Sequence, residues 1–124
     1  MSVAILRQGA YLIASVQSDL SDTEVMWLRQ ELAERIGKYR SRGIVIDVAT
    51  LDVIDSFVAR ALSAIVLTAK LRGAETVIVG IHPDVAIAMV QFRLNLQPLR
   101  VVLDLDEATA LLDRLTRRDQ KDGG

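Results

Sequence analysis

The sequence predicts a single α/β domain with a mixed, mostly parallel sheet flanked by about four helices. Three observations predict it. Short runs rich in β-formers alternate with stretches of helical period along the whole chain, the mark of strand–helix–strand crossovers. The run at residues 44–48 is apolar apart from Asp47, as a central parallel strand covered on both faces is. A length of 124 residues with 51% hydrophobic content fills one core and leaves little room for a second.

Each element has its own local reason. Residues 3–6 and 10–16 read as two short strands, with Gln8 and Gly9 turning the chain between them. From Ser21 the period changes: in SDTEVMWLRQELAERIGKY, Val25, Leu28, Leu32 and Ile36 recur at spacings of three and four, and most charged residues fall elsewhere. Ser21 followed by Glu24 fits a capping box, in which each side chain satisfies an unpaired N–H of the first turn. Met26 and Trp27 sit together on this helix and suit either core packing or a partner surface. Asp47, near the end of the strand at 44–48, needs a partner if it is buried.

A helix with few charges begins at Ser56. Its wide apolar face comprises Phe57, Val58, Ala61, Leu62, Ile65, Val66 and Ala69, with Arg60 and Lys70 outside, and Gly73 is placed to end it. Residues 75–79 form the next strand, which Gly80 lets the chain leave. Pro83 suits the first position of a helix over 83–92, because its missing N–H has no partner there in any case. A short strand at 99–102 follows, and Asp104 with Glu107 repeats the capping pattern before a last helix whose inner face is Ala108, Leu111, Leu112 and Leu115. The polar residues 118–124 end in Gly-Gly and are expected to be a disordered tail, which sets the domain at 1–117.

Most catalytic chemistry is excluded by residue count. There is no cysteine, hence no disulfide framework, thiolate nucleophile or Cys-based zinc site. The single histidine, His82, supplies one imidazole, and its place before Pro83 suits a loop. No serine lies in a Gly-x-Ser-x-Gly elbow, and Gly43, Gly73 and Gly80 stand alone, so neither a hydrolase triad nor a phosphate-binding loop is written here. A net charge of −1 argues against nucleic-acid binding, since Arg114, Arg117, Arg118 and Lys121 alternate with acids. No apolar stretch approaches the roughly 20 residues that span a bilayer, and the first residues lack a secretory pattern, so no membrane association and a cytoplasmic location are expected.

One segment invites a functional reading. TLDVIDSFVAR places Asp52, Asp55 and Ser56 where a strand gives way to a helix, at the carboxyl edge on which open α/β sheets carry their functional loops. Asp55 or Ser56 can serve simply as the helix cap. A phosphate on Ser56 would meet free N–H groups and the positive end of the helix dipole, while adding nearly two charges beside Asp52 and Asp55. The fold would tolerate such a change, and an interface made on those groups would not.

The strand, this junction and the low-charge helix after it resemble the STAS domain, the module shared by anti-sigma factor antagonists and the cytoplasmic parts of sulfate transporters. Within that family, VIDVATLDVIDSFVARALSAIVLTAKLRGAETVIVGIHPDVAIAMV resembles the single-domain scaffold proteins of the stressosome, with similarity over nearly the whole chain. The resemblance implies a non-enzyme without cofactor that assembles with sensor proteins carrying related STAS domains, self-associates as a dimer within a large complex, and sequesters a switch serine/threonine kinase. It implies Ser56 as the phosphate acceptor, with Asp55 and Phe57 flanking it and Asp47 and Asp52 contributing to an acidic partner-facing edge. Generic antagonists carry Asp-Ser-Ser-Gly with phosphate on the second serine, whereas this chain has Asp55-Ser56-Phe57-Val58. That difference favours the scaffold over a stand-alone antagonist that binds its kinase directly.

Overall fold

In a computed structural model of the chain, residues 3–51, 54–82 and 100–122 are described. Along them run β1 (Val3–Gln8), β2 (Tyr11–Val16), α1 (Asp22–Tyr39), β3 (Gly43–Asp47), α2 (Ser56–Leu71), β4 (Glu75–Val79), β5 (Arg100–Val102) and α3 (Leu105–Asp122). The five strands form one sheet in the order β1-β2-β3-β4-β5. β1 and β2 are an antiparallel hairpin closed at Gly9, whose φ of +60° suits a residue without a side chain. The remaining pairs are parallel. The expected mixed, mostly parallel sheet is therefore present. Three helices are found among the described residues against about four expected, and the helix anticipated over 83–92 lies outside them.

Alternation along the central strand builds two cores. Ile44, Val45 and Ile46 are all fully buried. Ile44 and Ile46 join Leu12, Ala14 and Ile78 under α1 and α2, whereas Val45 joins Ile13, Val77 and Val79 under Ala108 and Leu112 of α3. On α1 the buried residues are the four that the spacing predicts, and the capping box at Ser21 is complete. Leu20 just before the cap packs on the same core as Val25, a hydrophobic staple that fixes the angle at which the chain enters α1.

α2 corrects one detail of the sequence reading. Its buried residues are Val58, Ala59, Leu62, Ile65, Val66 and Ala69, so the stripe includes Ala59 and leaves Phe57 40% exposed. With Asp55 as the cap, Val58 leads the i, i+4, i+7, i+11 series, and Phe57 falls one residue, about 100°, away from it. The helix ends as predicted at Gly73, in a Schellman motif with Ala74 N–H on the Ala69 carbonyl at 2.9 Å and Gly73 N–H on Lys70 at 3.0 Å.

α3 starts on Asp104, whose carboxylate accepts from Glu107 N–H at 2.8 Å, while Glu107 reaches back to the Leu103 amide at 3.1 Å. It lies against β2 through Tyr11, whose hydroxyl donates to Asp113. Burial, then the Asp113 carboxylate, push the Tyr11 phenol above its usual pKa. The helix continues to Asp122, through residues that the sequence assigned to a tail, because Arg117, Arg118, Gln120 and Lys121 are good helix formers.

At the end of β4 the backbone admits only glycine. Gly80 has φ +83°, and a Cβ there would lie 2.5 Å from the Ala49 Cβ and 2.8 Å from its Cα. Gly80→Ala is expected to lower stability by ~2–4 kcal/mol, from left-handed strain plus overpacking, as read by denaturant unfolding. Thr76 on β4 is 2% exposed and its hydroxyl has no hydrogen-bond partner among the described residues. Thr76→Val therefore raises stability by about 1 kcal/mol in the same measurement, since it removes a desolvated hydroxyl and keeps the shape.

Candidate functional site

Parallel strands β2, β3 and β4 all end on one edge of the sheet, and the loops leaving them converge there. Val48 N–H bonds the Val79 carbonyl at 2.9 Å, extending the β3–β4 pairing by one step. The loop after β3 then folds against the loop after β4. Ala49 packs against Gly80, and the His82 Nε2–H donates to the Ala49 carbonyl at 2.8 Å. His82 is thus a loop-tying residue, as its place in the sequence suggests. The Thr50 hydroxyl donates to the Val16 carbonyl and fastens the same loop to the end of β2.

From this platform the chain enters α2. Leu51 and Ile54 are buried, at 3% and 2% exposure, and anchor both sides of the turn. Asp55 takes the cap position with extended backbone, and its carboxylate accepts the Val58 N–H at 2.8 Å. Of the two caps open in the sequence, Asp55 is the one formed. Ser56 becomes the first residue of the helix, half-buried, and its hydroxyl has no hydrogen-bond partner among the described residues.

Asp55 and Phe57 flank Ser56 and are both exposed. A cleft of about 250 Å³ lies alongside, lined by Asp19, Leu20, Leu51, Asp55 and Val58. Asp47 is half-buried, and its carboxylate accepts the Ala49 N–H at 3.0 Å. Its partner is thus the loop backbone, and the carboxylate shapes the platform. Asp52 lies outside the described residues. Sequence reasoning missed Asp19, Leu20 and Ala49. Leu20 carried a signal, the staple position before a capping box; Asp19 and Ala49 reach the site only through the folding of the sheet.

Among the described residues no group of three His, Cys, Asp or Glu side chains is placed to hold a metal ion. No described helix is long and apolar enough to cross a membrane.

Comparisons with known proteins agree with this architecture. Residues 2–110 match the family model described as STAS domain. A solved structure of a serine-to-glutamate variant of RsbS from Moorella thermoacetica is 32% identical, with a TM-score of 0.82, covering 94% of this chain and 99% of that one. A chain from a structure described as the molecular architecture of the stressosome, a signal integration and transduction hub, is also 32% identical, at a TM-score of 0.75, covering 92% of this chain and 99% of that one. The unphosphorylated form of the anti-sigma factor antagonist SpoIIAA shares the fold at 12% identity and a TM-score of 0.67, covering 92% of this chain and 97% of that one. No curated protein matches the sequence. The fold, the extent of the family match and the near-complete overlap with these relatives agree that the chain belongs to the STAS domain family.

Proposed function

We propose that this protein is a non-catalytic scaffold and regulatory subunit of a stressosome-type signalling complex. Residues 1–117 form the working domain. It binds sensor proteins with related STAS domains, self-associates as a dimer within the assembly, and sequesters a switch serine/threonine kinase in the cytoplasm. Phosphorylation of Ser56 releases that kinase.

The observation that carries this reading is the placement of Ser56: first in a capped helix, at the sheet's carboxyl edge, with a hydroxyl that has no partner among the described residues. A phosphate there lies beside the N–H groups and positive dipole end of α2, so the helix has no reason to melt. The same phosphate brings close to two negative charges next to Asp55, which shares its cleft with Asp19, and changes what the cleft and the exposed Phe57 ring can bind. Asp55 has a double part, as helix cap and as flank of the acceptor. Asp47 supports the loop beneath, and the part the family resemblance gives Asp52, on an acidic partner-facing edge, belongs to the same proposal. The relatives named above, with 32% identity over almost their full length, add weight to the scaffold over the stand-alone antagonist.

Incubation with the switch kinase and ATP, followed by mass spectrometry, is expected to find one phosphate, on Ser56, and none on Ser56→Ala. Phosphate on a different residue, or equal incorporation into Ser56→Ala, contradicts the assignment.

A further inference from the structure

The turn that leads toward α2 is held from outside itself. Leu51 N–H bonds the Val48 carbonyl at 2.9 Å, which makes residues 48–51 a β-turn with Ala49 and Thr50 at its centre. The Asp47 carboxylate takes the Ala49 N–H at 3.0 Å, and the Thr50 hydroxyl donates to the Val16 carbonyl. The Ala49 carbonyl belongs to the central peptide and takes no part in the turn's own hydrogen bond. It accepts instead from His82 Nε2–H at 2.8 Å, 33 residues further along the chain. A carbonyl has no proton to give, so the contact requires the proton on Nε2.

The exit from β4 is shaped to bring His82 there. Gly80, in a left-handed conformation, turns the chain back against Ala49 at a separation no side chain would allow. Its N–H bonds the Val102 carbonyl of β5 at 3.2 Å, so the loop that carries His82 leaves from a fixed point. The proline that follows His82 in sequence disfavours helical backbone at the histidine. His82 itself is exposed, joins neither hydrophobic core and enters no ion pair among the described residues. Its ring fills no space in the interior; what it contributes is the bond to Ala49.

We propose that His82 is a positioning residue for Ser56: by holding the central peptide of this turn it sets the geometry in which the first residue of α2 is offered to a kinase. The proposal rests on Ser56 being the phosphate acceptor. Leu51 closes the turn and is also buried, at 3% exposure, while Ile54, buried at 2%, adjoins the Asp55 cap. Turn and cap stand on the same core, and a turn that opens carries its disorder through Leu51 to the start of the helix. An acceptor segment that is in the competent arrangement only part of the time weakens the apparent affinity of its kinase by that fraction, and leaves the chemical step as it was. His82 therefore acts on recognition of the serine and touches neither its oxygen nor the transferred group.

Two measurements on the full chain separate the hold from its consequence. Amide hydrogen exchange followed by NMR reads the hold without a kinase. In His82→Ala the Leu51 and Val58 N–H groups, which close the turn and the cap, are expected to exchange about 3- to 10-fold faster, with Ile44, Val45 and Ile46 and the unfolding midpoint unchanged. Steady-state phosphorylation by the switch kinase reads the consequence: KM for His82→Ala rises by about the same 3- to 10-fold while kcat stays within about twofold of wild type. His82→Gln, whose side-chain N–H can donate to the same carbonyl, restores both readouts, and His82→Leu, which has no donor, restores neither. The proposal is overturned if Leu51 and Val58 exchange in His82→Ala as in wild type, if KM does not rise, or if His82→Leu restores function as well as His82→Gln. Phosphate on a residue other than Ser56 in the wild-type chain overturns the proposed function and the kinase arm with it, and the exchange rates then decide whether His82 holds the turn.

Discussion

Residues 44, 45 and 46 cannot reach solvent on either side of the sheet, and this double burial of β3 determines the rest of the molecule. A strand apolar on both faces requires a layer above and a layer below, and it requires neighbours on both edges to satisfy its backbone. The chain meets these demands with α1 and α2 on one face, α3 on the other, and β2 and β4 running parallel at either side. Parallel pairing in turn sends the ends of three strands to one edge. The site is where it is because β3 is buried as it is.

At that edge the loops are tied to one another. Gly80 admits the Ala49 backbone at a distance no side chain would allow, His82 bonds the Ala49 carbonyl, and Thr50 bonds the end of β2. Asp47 and Asp55 each spend a carboxylate oxygen on a backbone N–H. Ser56 emerges from this bonded platform with a hydroxyl that has no partner among the described residues. A rigid base under such a hydroxyl suits a residue that another protein modifies, because charge can be added at the surface without disturbing the packing beneath. Apart from Phe57 the hydrophobic groups near it, Leu51, Ile54 and Val58, belong to the core.

Much of this was legible in the sequence. The buried stripe of α1, both helix starts, the covered strand at 44–48 and the glycine ends at Gly73 and Gly80 follow from spacing and capping chemistry, which are local. What the sequence did not reveal depends on rotation and on long-range approach. Phe57 reads as core because it is aromatic and next to Val58, and only the phase of α2 against the sheet turns it outward. Asp47 reads as a costly buried carboxylate, and its remedy is an amide two residues on, in a turn whose shape depends on Gly80 more than thirty residues away. Asp19 and Leu20 belong to a different loop from Ser56, and they share a cleft with Asp55 only because β2 and β3 are parallel neighbours.

The central claim is that the carboxyl edge can take up the charge of a phosphate on Ser56 while the sheet beneath it stays unchanged. Two-dimensional amide NMR of the full chain before and after phosphorylation tests this most directly. The account predicts shifts confined to the edge, at Leu20, Ala49, Leu51, His82 and the first turn of α2 from Asp55 to Ala59, with Ile44, Val45, Ile46 and Val77 unmoved. Shifts that run through those four β3 and β4 amides, or loss of dispersion across the spectrum, would contradict it.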